Sequence, residues 1–304
     1  MGLVMVSFGV HVATFPENPR NFGELCRRIE DLGFSSVWLA DGLTRKMIDP
    51  LPGLAYASAF TGHLKVGTCV YVLPVRHPLI TAKLTATVDQ LSSGRFILGV
   101  GVGWKEEEFQ ASGLPFAKRG AITDECLQII RQALEKGEVN FQGNFYKLSG
   151  VRMQLRPVQK PCPPIWVGGN GREAAVRAAR FGECWIPTDY TVEEYEKNVG
   201  GYKKACARFS RSPESINVAS HLMLIIDKDR GKADRVAKAV GESMHSTLEE
   251  VKQWAIVGDS KEVVRRIEAY NSAGVNYHVF NFSSETRHDV GLEIFARDVL
   301  PSFS

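Results

Sequence analysis

The sequence predicts a (β/α)8 barrel with inserted segments, as one domain over residues 1–304, and three observations support this prediction. The length of 304 residues suits a single barrel of this kind. Short apolar segments, each typical of a buried strand, alternate with segments of helical periodicity. Glycines or polar residues follow most of these strands, at the edge where such barrels bind their ligands. An open, doubly wound sheet in two lobes is the alternative fold.

The predicted strands lie at residues 2–10, 36–40, 64–70, 96–98, 165–167, 183–188, 216–226 and 275–280. Helices are predicted at residues 21–32, 54–60, 79–91, 121–134, 173–181, 192–209, 231–240 and 260–272, and a last helix closes the chain. In the fourth of these helices, Ile122, Cys126 and Ile130 recur on one face, which is the spacing of an amphipathic helix. Residues 138–151 are typical of a small hairpin and residues 241–256 have no readable pattern, so both are predicted to be insertions.

The charge of the chain is nearly balanced at +3, and its lysines and arginines are dispersed. Neither a nucleic acid nor a membrane is therefore an expected partner. The sequence shows no leader and no apolar run long enough to cross a bilayer, so a cytoplasmic protein is expected. The six cysteines are scattered and form no C-x-x-C pair, so we expect reduced core thiols and no metal site.

Three glycines at alternate positions mark the end of the fourth predicted strand, namely Gly99, Gly101 and Gly103. Because glycine has no Cβ, a flat group can approach the backbone closely there. An acidic run at residues 106–108 then begins a helix, where negative charge suits the positive end of the helix dipole. The spacing differs from that of the dinucleotide fingerprint and of the P-loop, so a tight turn without a ligand is the alternative.

A second glycine-rich turn, Gly168-Gly169-Asn170-Gly171, lies between the fifth predicted strand and the next helix. Its backbone amides and the helix N-terminus can bind a phosphate, and a plain turn is the alternative. The predicted strand ends carry neither a metal-binding cluster nor a nucleophile motif. Such a site takes its chemistry from a cofactor, and the two turns together indicate a planar, phosphorylated one.

Four segments, residues 66–70, 73–79, 91–104 and 164–169, carry a resemblance that covers most of the chain. They resemble the bacterial luciferase-like flavin and deazaflavin oxidoreductases. The resemblance implies a (β/α)8 barrel, usually dimeric, that binds FMN or coenzyme F420 at the C-terminal mouth and transfers hydride or inserts oxygen. The run from Gly67 to Trp104 is most similar to the coenzyme F420-dependent branch.

The resemblance also implies cofactor contacts at individual positions. It implies a non-proline cis peptide near Cys69–Val70 that bulges under the deazaflavin ring, with Gly101 and Gly103 beside the ring. It further implies that Gly168-Gly169 holds the phosphate and that Thr188 supports it. The full set of positions expected to bind the cofactor is Gly67, Thr68, Cys69, Val70, Gly101, Gly103, Trp104, Gly168, Gly169, Asn170, Gly171 and Thr188.

Two positions depart from the pattern of the deazaflavin branch. Many of its members have Asp-His at the end of the second strand, whereas this chain has Asp41-Gly42, so no role of that histidine carries over. Its sugar-phosphate dehydrogenases carry an acid where this chain has Trp104, so their reaction is not expected. Trp104 is expected to be either a pocket wall or a simple packing residue.

Three ionisable side chains at the predicted strand ends are candidates for catalysis. His11 could deliver a proton near the ring, or it could be a hydrogen-bonded structural residue. Asp41 could orient the ring edge or cap a turn. Glu107 could reach into the mouth or lie in a solvated first helical turn.

Three hypotheses for function follow from these residues and from the resemblance. The first is an oxidoreductase that transfers a hydride between coenzyme F420 and a small organic substrate. The second is an FMN-dependent monooxygenase that uses O2 and takes reduced flavin from a partner reductase. The third, which the glycine at position 42 leaves open, is a non-catalytic flavin-binding barrel. The resemblance implies a homodimer.

Overall fold

A computed structural model describes residues 6–13, 18–212, 217–283 and 288–303 of the chain. The strands in these ranges are β1 (Ser7–His11), β2 (Ser36–Leu39), β3 (Lys65–Thr68), β4 (Tyr71–Val72), β5 (Phe96–Gly101), β6 (Glu138–Gln142), β7 (Lys147–Arg152), β8 (Ile165–Gly168), β9 (Cys184–Ile186), β10 (Asn217–Ile226), β11 (Ile256–Gly258) and β12 (Tyr277–Phe282). The helices are α1 (Pro19–Asp31), α2 (Pro50–Ser58), α3 (Pro78–Leu91), α4 (Glu106–Ala111), α5 (Arg119–Arg131), α6 (Arg172–Phe181), α7 (Val192–Arg208), α8 (Arg230–Ser243), α9 (Leu248–Trp254), α10 (Ser260–Ser272) and α11 (His288–Asp298). Residues 2–5, where the first strand is predicted to begin, lie outside the described ranges.

Parallel strands close into a barrel. Their order around it is β1, β2, β3, β5, β8, β9, β10 and β12, and β12 then pairs with β1. The register shows the closure, because Asn217 of β10 lies opposite Cys184 of β9, and Ser7 of β1 lies opposite Tyr277 of β12. The predicted (β/α)8 barrel is therefore confirmed, and the open two-lobed alternative is wrong.

Local signals set where the helices around the barrel begin and which face they bury. α2 begins at Pro50, four residues before its predicted start. The reason is a cap, since the Asp49 carboxylate accepts a hydrogen bond from the Leu51 amide (3.1 Å) and proline is tolerated in the first helical turn. The apolar face predicted for α5 is confirmed, because Ile122 and Cys126 are fully buried.

Two pairs of elements lie outside the barrel strands. β6 and β7 form their own antiparallel hairpin, in which Val139 lies opposite Val151, as predicted for residues 138–151. The segment without a readable pattern contains α9 and β11, and β11 extends the sheet by pairing in parallel with the far end of β10. β11 was not predicted, because a strand of three residues is too short to show a periodicity.

Trp38 fills the inside of the barrel between β1 and β3. A Cβ placed on Gly67 would lie 2.4 Å from the Trp38 ring, and one placed on Gly9 would lie 2.5 Å from its Nε1. The indole N–H donates to Ser36 Oγ (2.6 Å), and its ring lies 4.8 Å from that of Trp166. Gly9 and Gly67 are therefore required by packing, since a side chain at either position would displace the indole.

A buried histidine joins β10, β12 and α10. Ser220 Oγ lies 2.8 Å from Nδ1 of His278, and His278 Nε2 lies 2.8 Å from Oδ1 of Asn271. The imidazole is fully buried and stacks on Phe8 and Phe280, and this burial lowers the pKa of His278 to about 3. With both ring nitrogens bonded, the residue is a satisfied core histidine in its neutral form.

His278→Gln is expected to make stability less dependent on pH. The pKa of this group falls from 6.5 to about 3 on folding, so the unfolded chain takes up the proton first as the pH drops below 6.5. The wild-type protein should lose about 3 kcal/mol through this group by pH 4. Urea unfolding at pH 7 and pH 4 should show a smaller decrease for the variant. Exposed His63→Gln is the control, and identical decreases in all three proteins would contradict the prediction.

Candidate functional site

The C-terminal ends of the barrel strands form the edge that we call the mouth. Predicted site residues from six different strands come together there. Each is the last residue of its strand or lies within three residues of the strand end, and they include His11, Asp41, Cys69, Gly101, Gly168 and Thr188. Ligands of (β/α)8 barrels bind at this edge.

A bulge between β3 and β4 shapes one side of the mouth. The peptide bond from Cys69 to Val70 is cis, as the family resemblance implies. The Val70 side chain occupies space that two neighbouring strands leave free, since a Cβ placed on Gly101 would lie 2.5 Å from Val70 Cγ2 and one on Gly168 would lie 2.5 Å from Val70 Cγ1. Both positions therefore require glycine as long as Val70 keeps this place.

Other predicted residues of β3 and β5 also face protein atoms. A Cβ placed on Gly99 would lie 1.9 Å from the Thr68 carbonyl oxygen, and the Thr68 hydroxyl donates to the Gly99 carbonyl (2.7 Å). Gly103 has a φ of +77° and faces Val72, with 2.8 Å between an added Cβ and Val72 Cγ1. These residues and Gly67 thus fix the shape of the mouth, and their direct contact with a cofactor remains a prediction.

The turn between β8 and α6 forms an open cradle, defined by Gly168, Gly169, Asn170 and Gly171. Gly169 and Gly171 have φ values of +123° and +99°, in the region that favours glycine. A Cβ placed on Gly171 would meet no atom within 4 Å, so there is room at the start of α6. The first amides of a helix have no partner within the helix and attract anions, so a phosphate fits this cradle.

Asn170 and Thr188 tie the cradle to the end of β9. Asn170 Nδ2 donates to the Thr188 carbonyl (2.9 Å), and the Thr188 amide donates to Asn170 Oδ1 (2.9 Å). The Gly171 amide donates to the Tyr190 hydroxyl (2.9 Å). The side chain of Asn170 is thus engaged with backbone and positions the cradle, whereas support of a phosphate by Thr188 remains a prediction.

Asp41 holds the strand that follows the bulge. Its carboxylate accepts hydrogen bonds from the Val72 amide (3.0 Å) and from Arg76 (2.9 Å), and its side chain is only 3% exposed. Burial raises the pKa of Asp41, although Arg76 and the Val72 amide act in the opposite direction. Asp41 therefore positions the backbone beside the bulge. This role is closer to the predicted turn cap than to the predicted contact with the ring edge.

The acidic run at the start of α4 divides between the surface and the interior. Glu107, the predicted catalytic residue, is 62% exposed and accepts hydrogen bonds from Thr44 (2.8 Å) and Lys105 (3.2 Å), which lower its pKa. Its neighbour Glu108 is buried and accepts a hydrogen bond from the Thr44 amide (3.3 Å). The two carboxylates together anchor the loop after β2. Of the two alternatives predicted for Glu107, a position in a solvated first helical turn describes it.

His11 forms a buried pair with His221 of β10. His11 Nδ1 and His221 Nε2 lie 2.9 Å apart, and His11 is 6% exposed. Among the residues that the structure describes, His11 Nε2 and His221 Nδ1 have no hydrogen-bond partner. Burial, His221 and Arg45 hold the pKa of His11 well below 6.5, and burial lowers the pKa of His221 to about 4. Both imidazoles are therefore neutral near pH 7, and one must donate to the other.

Trp104 stands at the rim of the mouth. Its side chain is 75% exposed, and Lys105 Nζ lies 5.6 Å from its ring. Such exposure argues against Trp104 being a simple packing residue within this chain. The proposed role of Trp104 is therefore that of a pocket wall.

Two residues of the mouth, His221 and Arg45, were not predicted as functional. His221 could have been found as a histidine within the otherwise apolar strand at residues 217–226. Arg45 lies in a loop without a pattern, so no signal in the sequence identifies it. Its place beside His11 depends on how that loop folds over the barrel.

Other features bear on the chemistry of the site. In the described ranges, no group of three His, Cys, Asp or Glu side chains could hold a metal ion. All six cysteines are free and buried. No helix in the described part of the chain has the length and apolar character needed to traverse a bilayer.

A family model described as luciferase-like monooxygenase matches residues 2–248. This match covers well over half of the chain. The chain therefore belongs to the luciferase-like monooxygenase family, as the sequence resemblance implies.

Relatives within the family use different cofactors. The F420-dependent glucose-6-phosphate dehydrogenase of Amycolatopsis mediterranei is 27% identical, over 98% of this chain and 98% of its own. The oxygenase component of a flavin-dependent trigonelline monooxygenase from Acinetobacter baylyi is 24% identical, over 92% of this chain and 89% of its own. The solved structure of the coenzyme F420-dependent tetrahydromethanopterin reductase from Methanopyrus kandleri aligns with a TM-score of 0.85 at 25% identity, over 99% of this chain and 100% of that one. These relatives are oxidoreductases and monooxygenases, which supports an enzymatic role.

Gly101→Ala is expected to perturb the mouth through Val70, and Val70→Ala should relieve the effect. The added methyl group would lie 2.5 Å from Val70 Cγ2, so the single variant should lose about 1–3 kcal/mol of stability by overpacking. In the double variant this loss should shrink by about half or more, because the clashing methyl is gone. Urea unfolding of the wild type, the two single variants and the double variant measures the coupling between the two positions. Additive losses of stability would contradict the predicted clash between residue 101 and Val70.

Proposed function

We propose that the protein is an oxidoreductase that transfers a hydride between coenzyme F420 and a small organic substrate. The observation that carries the proposal is the open cradle before α6, together with the bulge beside it, whose Val70 side chain packs against Gly168 of the cradle. Two of the relatives above, the dehydrogenase and the reductase, are F420-dependent by name. The similarity of residues 67–104 to the deazaflavin branch supports the same assignment.

The chain offers a separate place for each part of such a cofactor. Gly168 and Gly169 would hold its phosphate at the positive end of α6, and Gly171, whose amide donates to the Tyr190 hydroxyl, would leave room for it. Val70 would support its ring, with Gly101 and Gly103 on the next strand. When bound, the deazaflavin ring donates or accepts the hydride. Trp104 would exclude water from the rim.

His11 is the proposed proton-transfer residue. A hydride added to a polar double bond must be matched by a proton, and the reverse reaction must remove one. His11 lies at the end of β1 with Nε2 unpartnered in the described ranges, and His221 fixes its other nitrogen. Asp41 and Glu107 would act only by position, through the Val72 amide and the loop after β2.

A flavin-dependent monooxygenase is the second candidate, because a relative of that kind matches nearly the whole chain. It would bind FMN in the same cradle, use O2 and depend on a partner reductase. A flavin-binding barrel without catalytic activity is the third. A homodimer and a cytoplasmic location are further proposals that follow from the family resemblance.

Titration of the purified protein with coenzyme F420 and with FMN, followed by fluorescence, tests the assignment. Tight binding of F420 alone is expected. Tight binding of FMN alone would replace the first candidate by the second, and binding of neither would refute both. Turnover with any hydride acceptor would exclude the non-catalytic barrel.

Gly169→Asp and Gly171→Asp are expected to abolish cofactor binding, because each places a carboxylate where the phosphate would lie. Gly171→Asp is the cleaner variant, since an added Cβ there meets no atom within 4 Å. Gly171→Ala is the matched control, because it imposes the same backbone strain at φ +99° without the carboxylate and should retain most of the affinity. Unchanged affinity in the folded aspartate variants would refute the phosphate assignment.

His11→Gln should leave the affinity for F420 within about threefold while lowering kcat about 10²-fold. Because the pKa of His11 lies well below 6.5, the wild-type rate should show no loss from protonation of His11 between pH 8 and pH 6.5. Oxidation of reduced F420 by a panel of enones, imines and ketones provides the assay. His278→Gln, which removes a buried histidine of the core, is the control, and an unaltered kcat in His11→Gln would exclude the assigned role.

A further inference from the structure

Arg45 fills the space that the glycine at position 42 leaves. A Cβ placed on Gly42 would lie 2.7 Å from Arg45 Cδ and 2.9 Å from Arg45 Cγ, so the arginine stem packs against the glycine. The Arg45 amide donates to the Gly42 carbonyl (3.2 Å), which closes a tight turn. The end of β2 thus presents an arginine side chain at the mouth.

The loop that carries this turn is anchored on both sides. Before Arg45, the Thr44 amide and hydroxyl donate to Glu108 (both 3.3 Å). After it, Asp49 accepts from Arg76 (2.7 Å). Two fixed points so close in sequence hold the backbone of this loop in place, and the Arg45 stem packs against Gly42 between them.

The positive charge of Arg45 is not balanced within the described ranges. The nearby carboxylates Asp41 and Asp49 both pair with Arg76, at 2.9 Å and 2.7 Å. No ion pair links Arg45 to a carboxylate of the residues that the structure describes. Asp189, another acid of the mouth, follows β9, which lies four strands from β2 in either direction around the barrel.

Arg45 follows β2, which pairs with β1, the strand that ends at the proposed proton donor His11, and it lies away from the cradle. Together with burial and His221, its charge lowers the pKa of His11. The cradle follows β8, three strands away from β2, so a phosphate held there would lie on another side of the mouth. Arg45 could therefore bind a second anion, on the side of the mouth formed by β1 and β2.

Two exposed apolar side chains flank this position. Leu43 is 49% exposed and Trp104 is 75% exposed. Their chain neighbours Thr44 and Lys105 meet, with 3.5 Å between Thr44 Oγ1 and Lys105 Nζ, so both side chains belong to one rim. Apolar groups exposed beside a cation suit a ligand with an apolar body and an anionic end.

We propose that the mouth selects a substrate that carries a carboxylate, bound by the Arg45 guanidinium on the side of β1 and β2, with its apolar body against Trp104 and Leu43. A guanidinium binds a carboxylate through two parallel hydrogen bonds, which would also orient the substrate. The inference rests on the proposed function, because it names the substrate class of the same site.

Benzoate and benzamide are suitable probes, because they are planar, nearly equal in shape and different in charge. Calorimetric titration of the full chain, with and without coenzyme F420, should show benzoate binding at least about tenfold more tightly than benzamide. Arg45→Gln should remove this preference and leave benzamide unaffected, whereas Arg45→Lys should keep part of it. Lys46→Gln, which removes the adjacent exposed cation, is the matched control and should behave as the wild type.

Equal affinities for the two probes, no benzoate binding in the millimolar range, or an equal loss in Lys46→Gln would overturn the inference. A loss of F420 affinity in Arg45→Gln would also overturn it, since the arginine would then serve the cofactor. The probes are titrated without cofactor as well, so a benzoate preference can stand even if the wild type binds neither F420 nor FMN. In that case the proposed function fails and the anion site does not.

Discussion

The packing of Val70 against two glycines is the constraint on which the mouth depends. Val70 projects from the bulge between β3 and β4 and lies between Gly101 of β5 and Gly168 of β8. One side chain thereby sets the spacing of three consecutive barrel strands at the edge where ligands bind. Asp41 holds the strand after the bulge through the Val72 amide, so the polar and apolar contacts fix the same few residues.

The charges around the mouth follow a pattern that separates structural from chemical groups. Arg76 is matched by Asp41 and Asp49, and its partners are satisfied by these contacts. Such pairs hold loops in place, and a paired ion has little left to offer a ligand. The His11–His221 pair and Arg45 are different, because within the described ranges no carboxylate forms an ion pair with them. We therefore propose that the chemistry of this site takes place on the side of β1, β2 and β10.

The fold was predictable because its signals are local, whereas the roles at the site depend on contacts across the barrel. Alternating strands and helices are enough to indicate the barrel, and no sequence spacing shows that Gly67 faces Trp38. The run at 106–108 indicates that an acid lies near the mouth, but adjacent residues of a helix point about 100° apart. Which of Glu107 and Glu108 is buried is settled by the Thr44 loop, whose fold the sequence does not encode in a readable pattern.

The neutral histidine pair suits a reaction that can run in either direction. If His221 donates its Nε2 proton to His11 Nδ1, then His11 carries its own proton on Nε2 and is a donor at the mouth. If His11 donates from Nδ1 instead, its Nε2 becomes an acceptor. The tautomer of the pair thus decides whether Nε2 donates or accepts a hydrogen bond while both rings are neutral. A proton gained there would create an imidazolium, which burial and the charge of Arg45 disfavour. If His11 at the end of β1 is the donor, as we propose, a histidine at position 42 is not needed, and the Arg45 stem fills the space beside Gly42.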